Sequence, residues 1–182
     1  MKFSIRPLPL CAASAGFLSI ALAGAAPAQA SPKIGPELEI TVPFNSKTRD
    51  RFGSTLKGIG FGAGGAIPRA GGRFSPDIFV ARESKNDNKL EFYGAGLQYR
   101  RTFSDAPSGV FVPFYGAGVG LAYGRVRLDD DDVDDSKIVP TGSVFVGTSV
   151  GRIGVLEARV RGVGKVGTLD FSGLTLTAGL RF

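Results

Sequence analysis

The residue types that carry most enzyme chemistry are scarce in this chain of 182 residues. It contains no histidine, and its one cysteine, Cys11, lies near the N-terminus. No Ser–His or Cys–His pair can form, and no imidazole is available as a base near neutral pH. Paired carboxylates could still act as acid and base, but no spacing singles out a pair. We therefore predict that the protein is not an enzyme.

Two glycine patterns match the fingerprint of dinucleotide-binding proteins, at residues 60–65 and 162–167. That fingerprint binds a pyrophosphate only where a helix begins directly after it. Neither Ala66-Ile67-Pro68 nor Thr168-Leu169-Asp170 starts a helical pattern. Glycine at every second position produces such matches by chance, so we predict no cofactor.

An acidic run is the only candidate for a metal site, and it is a weak one. Its carboxylates belong to Asp129, Asp130, Asp131, Asp132, Asp134 and Asp135. Carboxylate oxygens suit hard divalent cations, but the run lacks the glycine and glutamate of an EF-hand loop. The alternative is a solvated loop that its like charges keep extended. We predict no metal site.

Strands rather than helices must position the remaining charged residues. The chain has 27 glycines, which are unfavourable inside helices, and apolar residues alternate with small or polar ones over long stretches. A period of two predicts strands. Eight such segments lie near residues 36–44, 54–64, 72–83, 89–103, 110–127, 137–150, 154–166 and 170–182.

The breaks between these segments are most polar at Asn45–Gly53 and Asp129–Lys137. An outer-membrane barrel has an even number of strands, with longer loops outside and short periplasmic turns. If both chain ends lie in the periplasm, these two breaks face outward. The break at Asn45–Gly53 carries Phe52, which we expect to be exposed. It is either a recognition surface or a surface loop whose charges pair with one another.

Alternation alone does not say whether the apolar face meets lipid or a protein core. The second face of most segments is glycine, which suits the narrow interior of an eight-stranded barrel. Tyr115 and Tyr123 are eight residues apart, about 26 Å along a strand. A tilt of about 40° projects this to roughly 20 Å, close to the ~25 Å apolar band between aromatic girdles. The competing interpretation is a soluble secreted β-barrel or sandwich that binds a small apolar ligand.

In the membrane interpretation, sixteen apolar side chains point outward to lipid. They are Leu38, Ile40, Val42, Ile59, Phe61, Ile78, Val80, Leu97, Val119, Leu121, Val144, Val146, Leu156, Val160, Leu176 and Leu180.

The first thirty residues are typical of a targeting segment. Lys2 and Arg6 precede a mostly apolar stretch at residues 8–23, and Ala28-Gln29-Ala30 is a small-residue cleavage site. We predict a cleaved signal peptide at residues 1–30 and a barrel domain at 31–182. Cys11 follows Leu10, which is too large for a lipoprotein site. The scattered positive charge gives no reason to expect a nucleic-acid partner.

Two stretches resemble the OmpA/OmpX-type outer-membrane β-barrel family. Residues 113–123 are similar to its strands, and residues 176–182 to its last strand, which ends in Phe. The resemblance implies a closed, eight-stranded, antiparallel, up-and-down transmembrane barrel in the bacterial outer membrane, with both termini periplasmic. It also implies outer-membrane lipid as a partner, and periplasmic chaperones and the barrel-assembly machinery in biogenesis. Phe182, Leu180 and Leu176 would form the assembly signal. We expect no peptidoglycan-binding domain to follow.

Charged residues also occur on the inward face, where they must pair because they lie far from bulk water. They are Glu37, Glu39, Asp77, Arg100, Glu157, Arg159, Arg161, Lys165 and Arg181. We predict a lumen network of Glu37, Glu39, Glu157, Arg159, Arg161 and Arg181, with Arg181 near Glu37 and Glu39 on one side and Glu157 on the other. A bulge near Arg161–Gly162 could reset the register of the seventh strand.

Aromatic rings on the same face should fill much of the remaining interior. They belong to Phe79, Phe92, Phe114, Phe145 and Phe171.

Arg125 and Arg127 fall on the outward face at the outer rim, where a guanidinium suits lipid phosphates. The alternatives are snorkelling and charge pairing between strands. The function that we predict is structural or a surface interaction, of an adhesion or defence kind, with a largely plugged lumen. The alternative is a narrow channel for water, ions or small solutes.

Overall fold

The computed structural model describes residues 33–64, 67–69, 72–103, 110–129, 133–151 and 153–181. The predicted signal peptide, Cys11 and Phe182 lie outside these residues. Among the described residues, no helix has the length and apolar character needed to cross a membrane.

The described residues form nine β-strands and one short helix. The strands are β1 (Lys33–Pro43), β2 (Leu56–Gly64), β3 (Ile67–Arg69), β4 (Gly72–Lys85), β5 (Asn88–Thr102), β6 (Phe111–Leu128), β7 (Val133–Val150), β8 (Gly154–Val163) and β9 (Gly173–Leu180). The helix α1 (Ser46–Phe52) connects β1 to β2.

These strands close into one antiparallel barrel. Apart from β2 and β3, which do not pair with each other, neighbouring strands along the chain pair. β1 also pairs with β9, so that Glu37 lies opposite Gly179 and Pro43 opposite Gly173. β2 and β3 pair with successive parts of β4 and together form one barrel strand. The predicted fold, a closed eight-stranded up-and-down barrel, is confirmed. We call the end with α1 the helix end, and the end where β1 begins and β9 ends the terminal end.

Strand β8 differs from its prediction at its C-terminal end. It stops at Val163, and β7 pairs with β8 without interruption from Thr141–Val163 to Val150–Gly154. The pairing contains no bulge at Arg161–Gly162, where we had considered one. The alternation simply continues, with Gly162 exposed on the outer face and Val163 buried inside.

The first polar break also differs from its prediction. Residues 46–52 form α1, and Asn45 caps it by accepting a hydrogen bond from the Thr48 amide at 3.1 Å. Phe52 is 2% exposed, so the expectation of an exposed aromatic is wrong. The helix turns this ring into the barrel mouth, where it is removed from water.

The outer wall carries the apolar face. Of the sixteen side chains that we assigned to lipid, fourteen are exposed, whereas Ile78 and Val80 are half-buried. None lies in a protein core. A soluble barrel would have its apolar side chains inside and polar ones outside. The apolar outer wall of this barrel therefore indicates that it is surrounded by lipid.

Aromatic side chains on the outer wall stand in two groups, one towards each end of the barrel. Phe74 contacts Tyr99 at a ring distance of 5.0 Å and Phe103 contacts Tyr115 at 4.9 Å, both towards the terminal end. Tyr93 and Tyr123 lie 6.5 Å apart towards the helix end. Tyr115 and Tyr123, whose spacing predicted two girdles, therefore belong to different groups.

Inside the barrel, four phenylalanines each lie directly opposite a glycine on the neighbouring strand. The pairs are Phe79 with Gly94, Phe92 with Gly124, Phe114 with Gly147 and Phe145 with Gly116. All four rings are buried, as predicted. A Cβ at any of these glycines would overlap the opposing ring. Because glycine has no side chain, each of these glycines leaves the space that the opposing aromatic ring fills.

We expect Gly116→Ala to lower the unfolding free energy by about 1–3 kcal/mol, because its Cβ would overlap both the Tyr99 carbonyl oxygen and the Phe145 ring. Gly142→Ala is the matched control. Gly142 lies on the outer wall, and a Cβ added there would have its nearest neighbouring atom 4.0 Å away. Urea titration of both variants in micelles measures the difference. Equal stability of the two variants would contradict this packing.

Candidate functional site

The middle of the barrel interior contains a layer of four arginines and four carboxylates, so the formal charges cancel. They are Arg100, Arg159, Arg161 and Arg181 with Glu37, Glu39, Asp77 and Glu157. Strand alternation places all eight on the inward face. The structure therefore brings together every residue of the predicted network, with Asp77 and Arg100 in addition.

Two of these arginines each hold one glutamate. Arg181 Nη2 donates to Glu37 Oε1 at 2.7 Å, and both residues are buried. Arg161 forms a two-pronged contact with Glu39, at 3.0 and 3.1 Å. Such a fork fixes the orientation of both groups.

The other four charged groups share their partners. Arg159, 1% exposed, donates to Glu157 at 2.8 Å and to Asp77 at 2.6 Å. Its third contact is the Gln98 side-chain oxygen at 2.8 Å. Arg100 reaches Glu157 from across the barrel at 2.8 Å. A buried guanidinium loses its hydration, and hydrogen bonds to several acceptors offset that cost.

Lys165, also assigned to the inward face, is not part of this layer. It is exposed and follows the end of β8. The alternation on which we based its assignment stops with the strand.

Three of the arginines stack on the interior aromatic rings. The guanidinium carbon lies 3.9 Å from the ring centre for Arg161 on Phe79, 4.1 Å for Arg100 on Phe114 and 4.8 Å for Arg159 on Phe145. Arginine is weakly hydrated and planar, so a ring face is a favourable neighbour. The charged layer and the aromatic side chains are therefore one packed unit.

Above the charged layer, an apolar cap occupies the mouth at the helix end. We define it as Phe52 of α1 with Val166, Leu169 and Phe171 of the segment between β8 and β9; all four are buried. The Phe171 ring lies 5.1 Å from that of Phe92 on the barrel wall and 6.4 Å from that of Phe52.

Hydrogen bonds hold the two halves of the cap together. The Thr48 hydroxyl donates to the Asp170 carbonyl oxygen at 2.7 Å, and the Phe44 amide donates to the Ser172 carbonyl oxygen at 2.8 Å. Only Phe171 was predicted to point inward. Leu169 and Phe171 alternate with polar residues, but Val166 lies out of step with them, and the segment is too short to predict an inward fold.

Between the cap and Arg161 lies a cavity of about 30 Å³, lined mostly by apolar side chains, with Glu39 at its lower edge. This volume has room for about one or two water molecules.

On the outer wall towards the helix end, charged residues form cross-strand rows above Tyr93 and Tyr123. Arg125, in the first row, holds Asp134 of the next row through two bonds, at 2.7 and 3.0 Å. In the next row Lys89 and Arg127 lie directly opposite each other on β5 and β6. For Arg125, then, charge pairing between strands is the arrangement that the structure contains.

In the acidic run, Asp130, Asp131 and Asp132 lie outside the described residues. Among the residues that the structure describes, no group of three or more acidic, cysteine or histidine side chains could hold a metal ion. Asp134 is held by Arg125, as described above. Of the two glycine patterns, Gly60 and Gly62 lie in β2 and Gly162 in β8, with no helix directly after either pattern in the described chain.

A double-mutant cycle on the isolated Arg161–Glu39 pair tests the charged layer. Arg161→Met alone leaves a buried carboxylate, and we expect it to lower the unfolding free energy by about 3–5 kcal/mol. Adding Glu39→Leu removes that charge and should restore most of the loss. Urea titration in lipid vesicles gives all four free energies. Additive losses would show that the two residues do not depend on each other.

No protein-family model and no curated protein sequence matches the chain. Solved structures do. Neisserial surface protein A is similar with a TM-score of 0.60 at 20% identity, over 84% of this chain and 96% of that protein. Ail, the attachment invasion locus protein of Yersinia pestis, is similar with a TM-score of 0.53 at 12% identity, over 83% and 96%. The chain therefore has the fold of the eight-stranded outer-membrane β-barrels, as its resemblance to the OmpA/OmpX type predicted.

Proposed function

We propose that this barrel is an outer-membrane protein with a structural or surface-interaction role, and that its lumen does not serve as a pore. The observation that carries the proposal is the packed interior. Paired charges fill the middle layer, and the apolar cap fills the mouth above it. A filled interior leaves no open path for solutes through the lumen. The surfaces available for function are therefore the two ends of the barrel and its outer wall.

In this proposal the helix end faces the outside of the cell and both chain ends face the periplasm. Loops on the outer side of such barrels are the longer and more polar ones. At the helix end, exposed charges include Lys47, Asp50, Lys85 and Lys165. The charged rows above Tyr93 also belong to this end.

The names of the similar proteins support a role at the surface. One is called a surface protein and the other an attachment invasion locus protein. Their likeness to this chain is one of fold. We also propose that the protein is not an enzyme, because the chain lacks histidine and its cysteine lies in the predicted signal peptide.

For biogenesis, the assembly signal at Leu176, Leu180 and Phe182 stays a prediction. Leu176 and Leu180 are exposed on the outer wall of β9, where chaperones or the assembly machinery can reach them.

We further propose that the outer rim binds lipid phosphate, with Lys89 and Arg127 as the principal contacts and Arg125 as a flanking charge. Like charges directly opposite each other on neighbouring strands repel, and an anion between them removes that repulsion. Asp134, which lies opposite Arg127 on the other side, is already held by Arg125. The position just above the aromatic girdle suits the phosphate groups of a bilayer leaflet.

Surface display can be tested by cysteine labelling in intact cells, in a chain whose Cys11 is replaced by Ala. Ser54→Cys, exposed beside α1, should react with a membrane-impermeant maleimide. Ile153→Cys, in the turn between β7 and β8 at the terminal end, is the matched control and should react only after the outer membrane is opened. Labelling of Ile153→Cys alone in intact cells would reverse the proposed orientation.

The rim site can be tested by native mass spectrometry of the barrel in micelles supplied with phosphatidic acid or phosphatidylcholine. The wild type should retain phosphatidic acid preferentially, and Lys89→Gln with Arg127→Gln should reduce that preference several-fold. Lys47→Gln with Lys165→Gln makes the same change of charge on exposed residues elsewhere. Equal loss in both double variants would mean that net charge, not this site, retains the lipid.

A further inference from the structure

We infer that the apolar cap at the helix end, and not the charged layer, is the barrier that stops water and ions from crossing the lumen of this barrel. This inference rests on the proposed function, in which the lumen is closed. It assigns the closure to one of two layers that differ in their physical character.

The charged layer has the properties of a hydrated region. Four buried polar atoms in it have no hydrogen-bond partner among the described residues: Gln98 Nε2, Arg100 Nε, Thr177 Oγ1 and Arg181 Nε. Gln98, Thr177 and Arg181 are each less than a tenth exposed. Buried donors and acceptors of this kind are costly unless water satisfies them.

These four atoms lie in the half of the barrel nearer the terminal end. Arg181 directly follows the last residue of β9, and Gln98 and Arg100 lie in the second half of β5. The Arg100 side chain is still 14% exposed. We therefore expect water to enter this layer at Arg100, in the half of the barrel nearer the terminal end.

The cap has the opposite character. Its four side chains pack into one buried hydrophobic cluster with residues from the inner faces of six barrel strands. Its neighbouring polar groups are satisfied, as with the Thr48 hydroxyl on the Asp170 carbonyl. A narrow apolar section resists filling by water, and this alone blocks ions.

The cap is also separable from the barrel itself. Val166, Leu169 and Phe171 lie between β8 and β9 and take no part in the pairing of the barrel strands. Their backbone forms one local bridge, between Val166 and Leu169. Polar substitutions here change the mouth of the lumen while leaving the paired barrel strands complete.

The test compares three variants in planar bilayers, with folding checked by heat-modifiable gel migration. In the cap variant, Leu169→Ser with Phe171→Ser replaces two apolar side chains by polar ones, so that water can enter the mouth at the helix end. In the layer variant, Arg161→Met with Glu39→Leu removes one ion pair and keeps its volume. Leu169→Ser alone is the milder cap variant, should the double one fail to fold. We expect the cap variants to raise small-ion conductance at least tenfold over the wild type and the layer variant to remain closed.

Each result decides the inference. If folded cap variants stay as closed as the wild type, the inference is overturned and the proposed closed lumen stands. If the layer variant conducts as well as the cap variants, the ion pairs are the barrier and the inference is equally overturned. Large, stable conductance steps in the wild type would instead contradict the proposed function itself.

Discussion

The pairing of β1 with β9 is the constraint on which the rest of this molecule depends. In hydrocarbon, every backbone N–H and C=O group needs an internal partner, and a sheet satisfies this only when it has no edge. Closing the sheet with eight strands leaves an interior just wide enough for side chains. The small cross-section then decides which residues can stand inside, and it explains why glycines line so much of the inner face.

Within that narrow interior, large side chains are accommodated in pairs with small ones. Phe145 fits because Gly116 lies opposite, and Phe114 fits because Gly147 does. The rings in turn supply flat surfaces for the guanidinium groups, such as Arg100 on Phe114. Packing and electrostatics are thus coupled. Loss of a ring removes a cation–π contact, and loss of an arginine leaves a buried carboxylate without its partner.

Much of the barrel was predictable because a period of two assigns every strand residue to one of two faces. That rule, with antiparallel closure, placed Arg181 beside Glu37 without any structural information. It was wrong at Lys165 because the strand had already ended. It also missed α1, because seven residues are too few to show a helical period. The prediction that Phe52 is exposed was wrong for the same reason. The cap forms because α1 and the segment between β8 and β9 pack against each other. The two segments are far apart in sequence, so no local sequence pattern predicts their contact.

The cap limits what the helix end can do as a binding surface. Residues such as Thr48, Phe52 and Phe171 are committed to closing the mouth, so sequence changes there alter the barrel's interior before they alter its surface. In the proposed surface-interaction role, the side chains available for recognition are the exposed ones, among them Lys47 and Lys165. A ligand that ordered or displaced α1 would act directly on the cap, because Phe52 belongs to both. In the proposed role, Phe52 would therefore couple binding at α1 to closure of the lumen.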